Sequence, residues 1–137
     1  MKNLQPQLVW GLFDEITKVP RPSKHEEKIG AYLVEFAKKH GLEYQCDTIG
    51  NIVIRKPATP GYEERPTVVL QAHTDMVCEK NSDKVFDFDN DAIEVVIDGE
   101  WVRANGTTLG ADDGIGIAAA LAVLVDDTLE HPAIEAL

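Results

Sequence analysis

Cysteine is scarce in this 137-residue chain: there are two, Cys46 and Cys78, in no Cys-x-x-Cys spacing. That excludes a disulfide framework and a zinc ribbon and points to reduced thiols. Basic charge is short as well, with 13 Lys and Arg against 24 Asp and Glu and a formal net charge of -11. Nucleic acid and anionic membranes need a basic footprint and are poor partners for such a chain, whereas divalent cations suit it. Long apolar runs are missing too, no window approaching the roughly 18 residues of a membrane span. The residues after Met1, Lys2-Asn3-Leu4-Gln5-Pro6, lack the apolar stretch and small-residue cleavage site of a secretory leader, so the expected compartment is the cytoplasm. The length fits one domain with a real core, and no internal repeat is visible.

What is present reads as alternating helices and strands. Leu8, Val9, Leu12, Phe13 and Ile16 recur every three or four positions and predict an amphipathic helix over 6–18, stopped by Val19-Pro20-Arg21-Pro22. Ser23 with Glu26 matches a capping box for a second helix, whose buried stripe is Ile29, Tyr32, Leu33 and Phe36 and whose left-handed end is Gly41. A strand pair is expected over 43–47 and 51–55, a proline-rich loop over 57–66, and a polar excursion over 79–91. Asp98-Gly99-Glu100 joins two short runs as a hairpin. Residues 114–125 are apolar nearly all round, the pattern of a buried helix.

The best site candidate is Thr67 to Asp75. Val68, Val69 and Leu70 form a β-branched apolar run that reads as a central strand buried on both faces, delivering His73 and Asp75 at its C-terminal end, where open α/β sheets bind ligands. A histidine and a carboxylate so spaced can ligate zinc with the acid behind the ring, or act as acid and base; alternatively they make one satisfied hydrogen bond. Leu109-Gly110-Ala111-Asp112-Asp113-Gly114-Ile115-Gly116 adds two carboxylates in a glycine-rich turn. Capping accounts for one of them; a pair pressed against a buried helix would be desolvated and mutually repelled, which a divalent cation relieves, so Asp112 is read as a metal ligand ahead of a cap. The glycine spacing also matches the phosphate-cradling turn of short-chain dehydrogenases, but the acids would face phosphate and the preceding 103–108 is too polar for a buried first strand. Cys78 reads as a half-buried thiol, His25, His40 and His131 as structural, and Glu135 carries no assigned role.

The blocks Leu70-Gln71-Ala72-His73-Thr74-Asp75-Met76-Val77, Lys80-Asn81 and Leu109 to Gly116 resemble the aminoacyl-histidine dipeptidases, in the wider zinc metallopeptidase family of the aminoacylases and carnosinases. The resemblance runs from the first helix to the last residue. It implies an α/β fold, a mixed sheet with helices on both faces, forming over 1–137 part of a zinc-peptidase catalytic domain. It implies two zincs, with Mn2+ or Co2+ as possible substitutes: His73 a terminal ligand of one, Asp112 a bridge between both, and Asp75 orienting His73. The bond after the bridging aspartate is expected to be cis, so Asp113 is not a ligand. Gly114, lysine in many relatives, is a mild departure.

The reaction so implied is hydrolysis of a dipeptide, with a Xaa-His or carnosine-like substrate and a homodimeric parent. The general-base glutamate belongs to a Glu-Glu pair that the resemblance places shortly after a strand like the one at Ile134, and it is not in this sequence. With His73 and Asp112 as its ligands the chain itself is expected to be inactive, because a catalytic zinc normally needs about three protein ligands. The alternative is a non-catalytic metal-binding or interaction module on the same scaffold.

Overall fold

Three helices and six strands make up the chain in a computed structural model that describes residue 1 and residues 3–137. Helix α1 spans Gln7–Ile16 and buries Leu12, Phe13 and Ile16, one side of the predicted stripe. Helix α2 spans Glu27–Lys39 and buries Ile29, Leu33, Phe36 and Ala37. It starts later than the capping box implied. Ser23 is not its cap: the Glu26 carboxylate instead accepts from the Lys24 amide at 2.6 Å, and the Ser23 hydroxyl is engaged elsewhere. Gly41, at φ +65°, ends the helix in the left-handed conformation a side chain would resist.

Strands β1 (Glu43–Cys46), β2 (Ile52–Lys56), β3 (Val68–Leu70) and β6 (Ile134–Ala136) form one sheet in the order β1-β2-β6-β3. The β1-β2 turn is held by Asp47, whose carboxylate accepts the amides of Ile49 and Asn51 at 2.9 Å each. The sheet is mixed: β2 runs antiparallel to both β1 and β6, while β3 and β6 are parallel. Strands β4 (Val95–Asp98) and β5 (Trp101–Ala104) make a separate hairpin. Its two-residue loop is Gly99-Glu100, one position beyond the expected Asp-Gly pair, because Gly99 supplies the positive φ such a loop requires.

β3 is not the central buried strand that its composition implied. It lies at the sheet's end, with Val68 43% and Val69 55% exposed. The buried middle position goes to β6, where Ile134 and Ala136 are covered and Glu135 points the other way. A β-branched run marks a strand but carries no record of its neighbours, so three residues at 134–136 outrank it by position.

The helices also gather on one face rather than two. Ile54, Ile134 and Ala136 join a single core with Leu33, Phe36, Phe13, Ile16, Ile117, Ala118 and Leu121. The register puts Ile54 beside Ala136, so these residues share a face. On the opposite face Arg55 pairs with Glu135 at 2.8 Å and with Glu43 at 3.1 Å. Helix α3 (Ala111–Val125) packs against α1 and covers β6, burying Ile117, Leu121 and Leu124 as its all-round apolar sequence predicts. No described helix is long and apolar enough to cross a membrane.

Candidate metal centre

Two chain segments meet where β3 ends and α3 begins. After Leu70 the chain continues beside β6, the Ala72 amide donating to the Leu137 carbonyl at 2.9 Å, and then presents His73. Before α3, Gly110 turns the chain at φ +73°. Asp112 and Asp113 have non-helical backbone angles, so regular helix starts only after them and the Asp112 side chain leaves the helix for solvent over His73. The Asp112–Asp113 peptide bond is cis, as the resemblance implied.

His73 stands between two carboxylates. Its Nδ1 lies 3.0 Å from Asp75 Oδ1 and 3.0 Å from the Asp75 carbonyl, and its Nε2 lies 3.0 Å from Asp112 Oδ1. With acceptors at both nitrogens the ring is satisfied only as imidazolium, or with a cation in place of the Nε2 proton. The Asp112 carboxylate, ahead of that of Asp75, raises the imidazole pKa from its ordinary value, and partial burial opposes the rise. Asp75 is held below the usual carboxylate range first by the Ser23 hydroxyl, which donates to Oδ2, and then by His73. Ser23, Asp75 and His73 thus form a chain of hydrogen bonds that leaves Nε2 as the outward face of the ring.

The donor set fits a divalent metal. Imidazole and carboxylate are both ligands of zinc, and two such donors on one tetrahedral ion lie roughly 3.4 Å apart, close to the 3.0 Å between Nε2 and Oδ1. One expectation about the acids needs correction. The Asp112 side chain is 96% exposed, so desolvation does not press on it. The irregular entry into α3 carries it away from the buried stripe. Among the described residues no group of three or more His, Cys, Asp or Glu side chains is arranged to hold a metal ion.

The glycines of the second motif answer to packing rather than to phosphate. A Cβ at Gly110 or at Gly114 would come 2.6 Å from Arg21 Nη2, and one at Gly116 would come 2.3 Å from Asp113 Oδ1. The strand before them, β5, belongs to the separate hairpin and not to a parallel sheet, which removes the dehydrogenase reading.

Arg21 is the residue that sequence reasoning passed over. It is 1% exposed and donates to the carbonyls of Thr74, Asp75 and Gly110. Its signal was weak: one arginine between two prolines in a helix-stopping loop. The other candidates stay outside the pair. Cys78 is half-buried, with burial pushing its thiol pKa up, and its Sγ donates to the Met76 carbonyl at 3.5 Å. His25 bonds Asp89 at 2.8 Å, His40 packs on Phe36, and His131 is buried with Nδ1 donating to the Pro132 carbonyl at 2.7 Å. Glu135, without a role at first, pairs with Arg55.

A cleft of about 420 Å³ opens beside the pair. Leu33, Ile54, Leu70, Ile117 and Leu121 give it an apolar floor, and His73 and Asp75 stand on its wall while Asp112 does not.

No protein-family model matches the chain. It is 54% identical over all 137 residues to the cytosol non-specific dipeptidase of Escherichia coli K12, of which it covers 28%. It superposes on the crystal structure of aminoacylhistidine dipeptidase from Vibrio alginolyticus with a TM-score of 0.96 and 51% identity, covering 98% of this chain and 28% of that one. Aminopeptidase PepT from Bacillus cereus shares the fold, with a TM-score of 0.74 at 24% identity over 97% of this chain and 36% of that one. The chain therefore spans a little over a quarter of the length of the dipeptidases it matches. Over the stretch it spans, with both motif blocks in place and a fold that superposes almost throughout, the chain is similar in sequence and structure to dipeptidases, the aminoacylhistidine dipeptidase of Vibrio alginolyticus among them.

Proposed function

We propose that this chain contributes part of the metal centre of a peptidase that hydrolyses dipeptides, with His73 and Asp112 as metal ligands and Asp75 as the group that orients His73. The observation that carries this reading is the 3.0 Å approach of His73 Nε2 to Asp112 Oδ1 while Asp75 holds the opposite nitrogen. Zinc is the metal the donor set favours, Mn2+ and Co2+ being substitutes; when bound it supplies Lewis acidity toward a peptide carbonyl and toward water. The chain's own residues do the rest. Asp75 fixes which ring nitrogen carries a proton, Ser23 fixes Asp75, and Asp112 offers a solvent-facing carboxylate with room for a second ion.

The substrate we propose is a Xaa-His dipeptide of carnosine-like form; the name of the Vibrio alginolyticus relative supports the histidine, while that of the Escherichia coli relative supports dipeptides in general. Residues 1–137 would form part of a catalytic domain, of a cytoplasmic and homodimeric parent. β6 runs parallel to β3, and Leu137 lines the same cleft as His73. A general-base glutamate placed shortly after such a strand would arrive next to the metal pair. Two ligands fall short of the three a catalytic zinc keeps, so the chain by itself should bind zinc without turnover.

Calorimetric titration with zinc at neutral pH tests the site, and His73→Ala or Asp112→Ala should each weaken binding at least tenfold. Unchanged affinity in both variants refutes it. Hydrolysis of a Xaa-His dipeptide by the isolated chain would refute the expected inactivity, and a parent protein that binds zinc but cleaves no dipeptide would favour the non-catalytic module.

A further inference from the structure

Arg21 is a buried cation whose bonds go to backbone rather than to acids. Nη1 donates to the Thr74 carbonyl at 3.1 Å and the Asp75 carbonyl at 3.2 Å, and Nη2 to the Gly110 carbonyl. The first two carbonyls belong to the segment that presents His73, the third to the turn that presents Asp112. One planar group therefore spans the two segments whose side chains meet at Nε2 and Oδ1. The segment is tied back in turn, the Met76 amide donating to the Arg21 carbonyl at 3.0 Å. A buried guanidinium is costly unless its donors are well used, and its rigid fork is what lets one side chain satisfy acceptors in two directions. Space is kept for it on the far side as well: Gly110 and Gly114 both press against Nη2, where a Cβ would not fit.

We propose that Arg21 is a positioning residue that sets the separation of His73 and Asp112, and through it the affinity of the pair for a divalent cation. The inference rests on the metal-holding role proposed for that pair. Lysine keeps the charge but offers a single nitrogen, which cannot reach both segments in the fixed geometry of a fork. Alanine at 114 keeps the arginine but displaces it, since the new Cβ would stand 2.6 Å from Nη2 and 3.0 Å from Phe13 Cε2.

The test is zinc titration of the chain and of Arg21→Lys, Gly114→Ala and the double variant, with His73→Ala as reference and thermal unfolding of each sample. Arg21→Lys should weaken zinc binding on the order of tenfold, the lower end of the effect of groups that hold metal ligands in place, in a chain that still unfolds cooperatively. Gly114→Ala should weaken it comparably, and the double variant should bind no worse than the weaker single one, because both act through the same guanidinium. Losses that simply add, or wild-type affinity in the folded single variants, overturn the proposal. If His73→Ala still weakens binding in that case, the metal site stands without Arg21. Zinc binding that His73→Ala leaves untouched overturns both readings. Should Arg21→Lys not fold, the affinity of Gly114→Ala decides alone.

Discussion

Gly116→Ala separates the packing account of the glycine motif from any account based on helix formation alone. Gly116 lies inside α3, where replacing glycine by alanine normally stabilises by about 1 kcal/mol. Here the new Cβ would stand 2.3 Å from Asp113 Oδ1 and 2.7 Å from both Cγ and Oδ2. The carboxylate must retreat by about 1 Å to reach ordinary contact, and overpacking of this kind costs about 1–3 kcal/mol. Moving an anion away from the helix N-terminus costs about 0.3–1 kcal/mol more. The two costs exceed the helical gain, so the variant should be less stable by about 1–2 kcal/mol. Urea unfolding reads this as a midpoint lowered by about 0.5–1 M for a slope of about 2 kcal/mol/M. Adding Asp113→Ala removes the obstacle, and Gly116→Ala should then stabilise by about 1 kcal/mol on that background. A midpoint that rises in the single variant would refute the reasoning, because it would mean that the Asp113 side chain does not depend on the bare Cα.

Three further expectations follow from the same geometry. Asp75→Ala should weaken zinc binding about tenfold rather than a hundredfold, since the Asp75 carbonyl, itself 3.0 Å from Nδ1, keeps one acceptor in place; Asp75→Asn should lose less, and calorimetry showing no loss in either variant contradicts the orienting role. The pKa of His25 should lie above 6.5 because of its bond to Asp89, so the contribution of that contact is complete below the unfolded value and fades as pH rises through the folded one. An NMR titration of the imidazole checks this, with Asp89→Asn returning the midpoint toward 6.5. Ile54→Ala, at a 2% exposed position, should destabilise by about 2–5 kcal/mol, whereas Val69→Ala should stay within about 1 kcal/mol; similar urea midpoints for the two would contradict the one-sided core.

Periodicity was a good guide to the helices, because the stripes of α1 and α2 depend on local geometry that every turn repeats. Gly41 and Gly99 were readable for the same reason: a positive φ is a local demand. Neighbour relations were harder to read. Val68, Val69 and Leu70 have the composition of a buried strand, yet burial depends on which segments pair with them, and the middle of the sheet is taken by Ile134-Glu135-Ala136 from the other end of the sequence. His73, Asp75 and Asp112, which the structure brings together, could be singled out because ligating side chains come from few residue types. Arg21 was missed because its partners are carbonyls, which leave no mark on sequence. The same holds for Ser23, whose pattern imitates a helix cap while its hydroxyl serves Asp75.

The open side of β3 bears on how the molecule behaves in company. Val68 and Leu70 make their bonds toward β6 and its flanks, which turns the amide and carbonyl of Val69 outward beneath an exposed apolar side chain. Such a border can recruit a foreign extended segment, so concentrated solutions should drift toward aggregates, and a lysine at position 69 should slow that drift with little effect on the core.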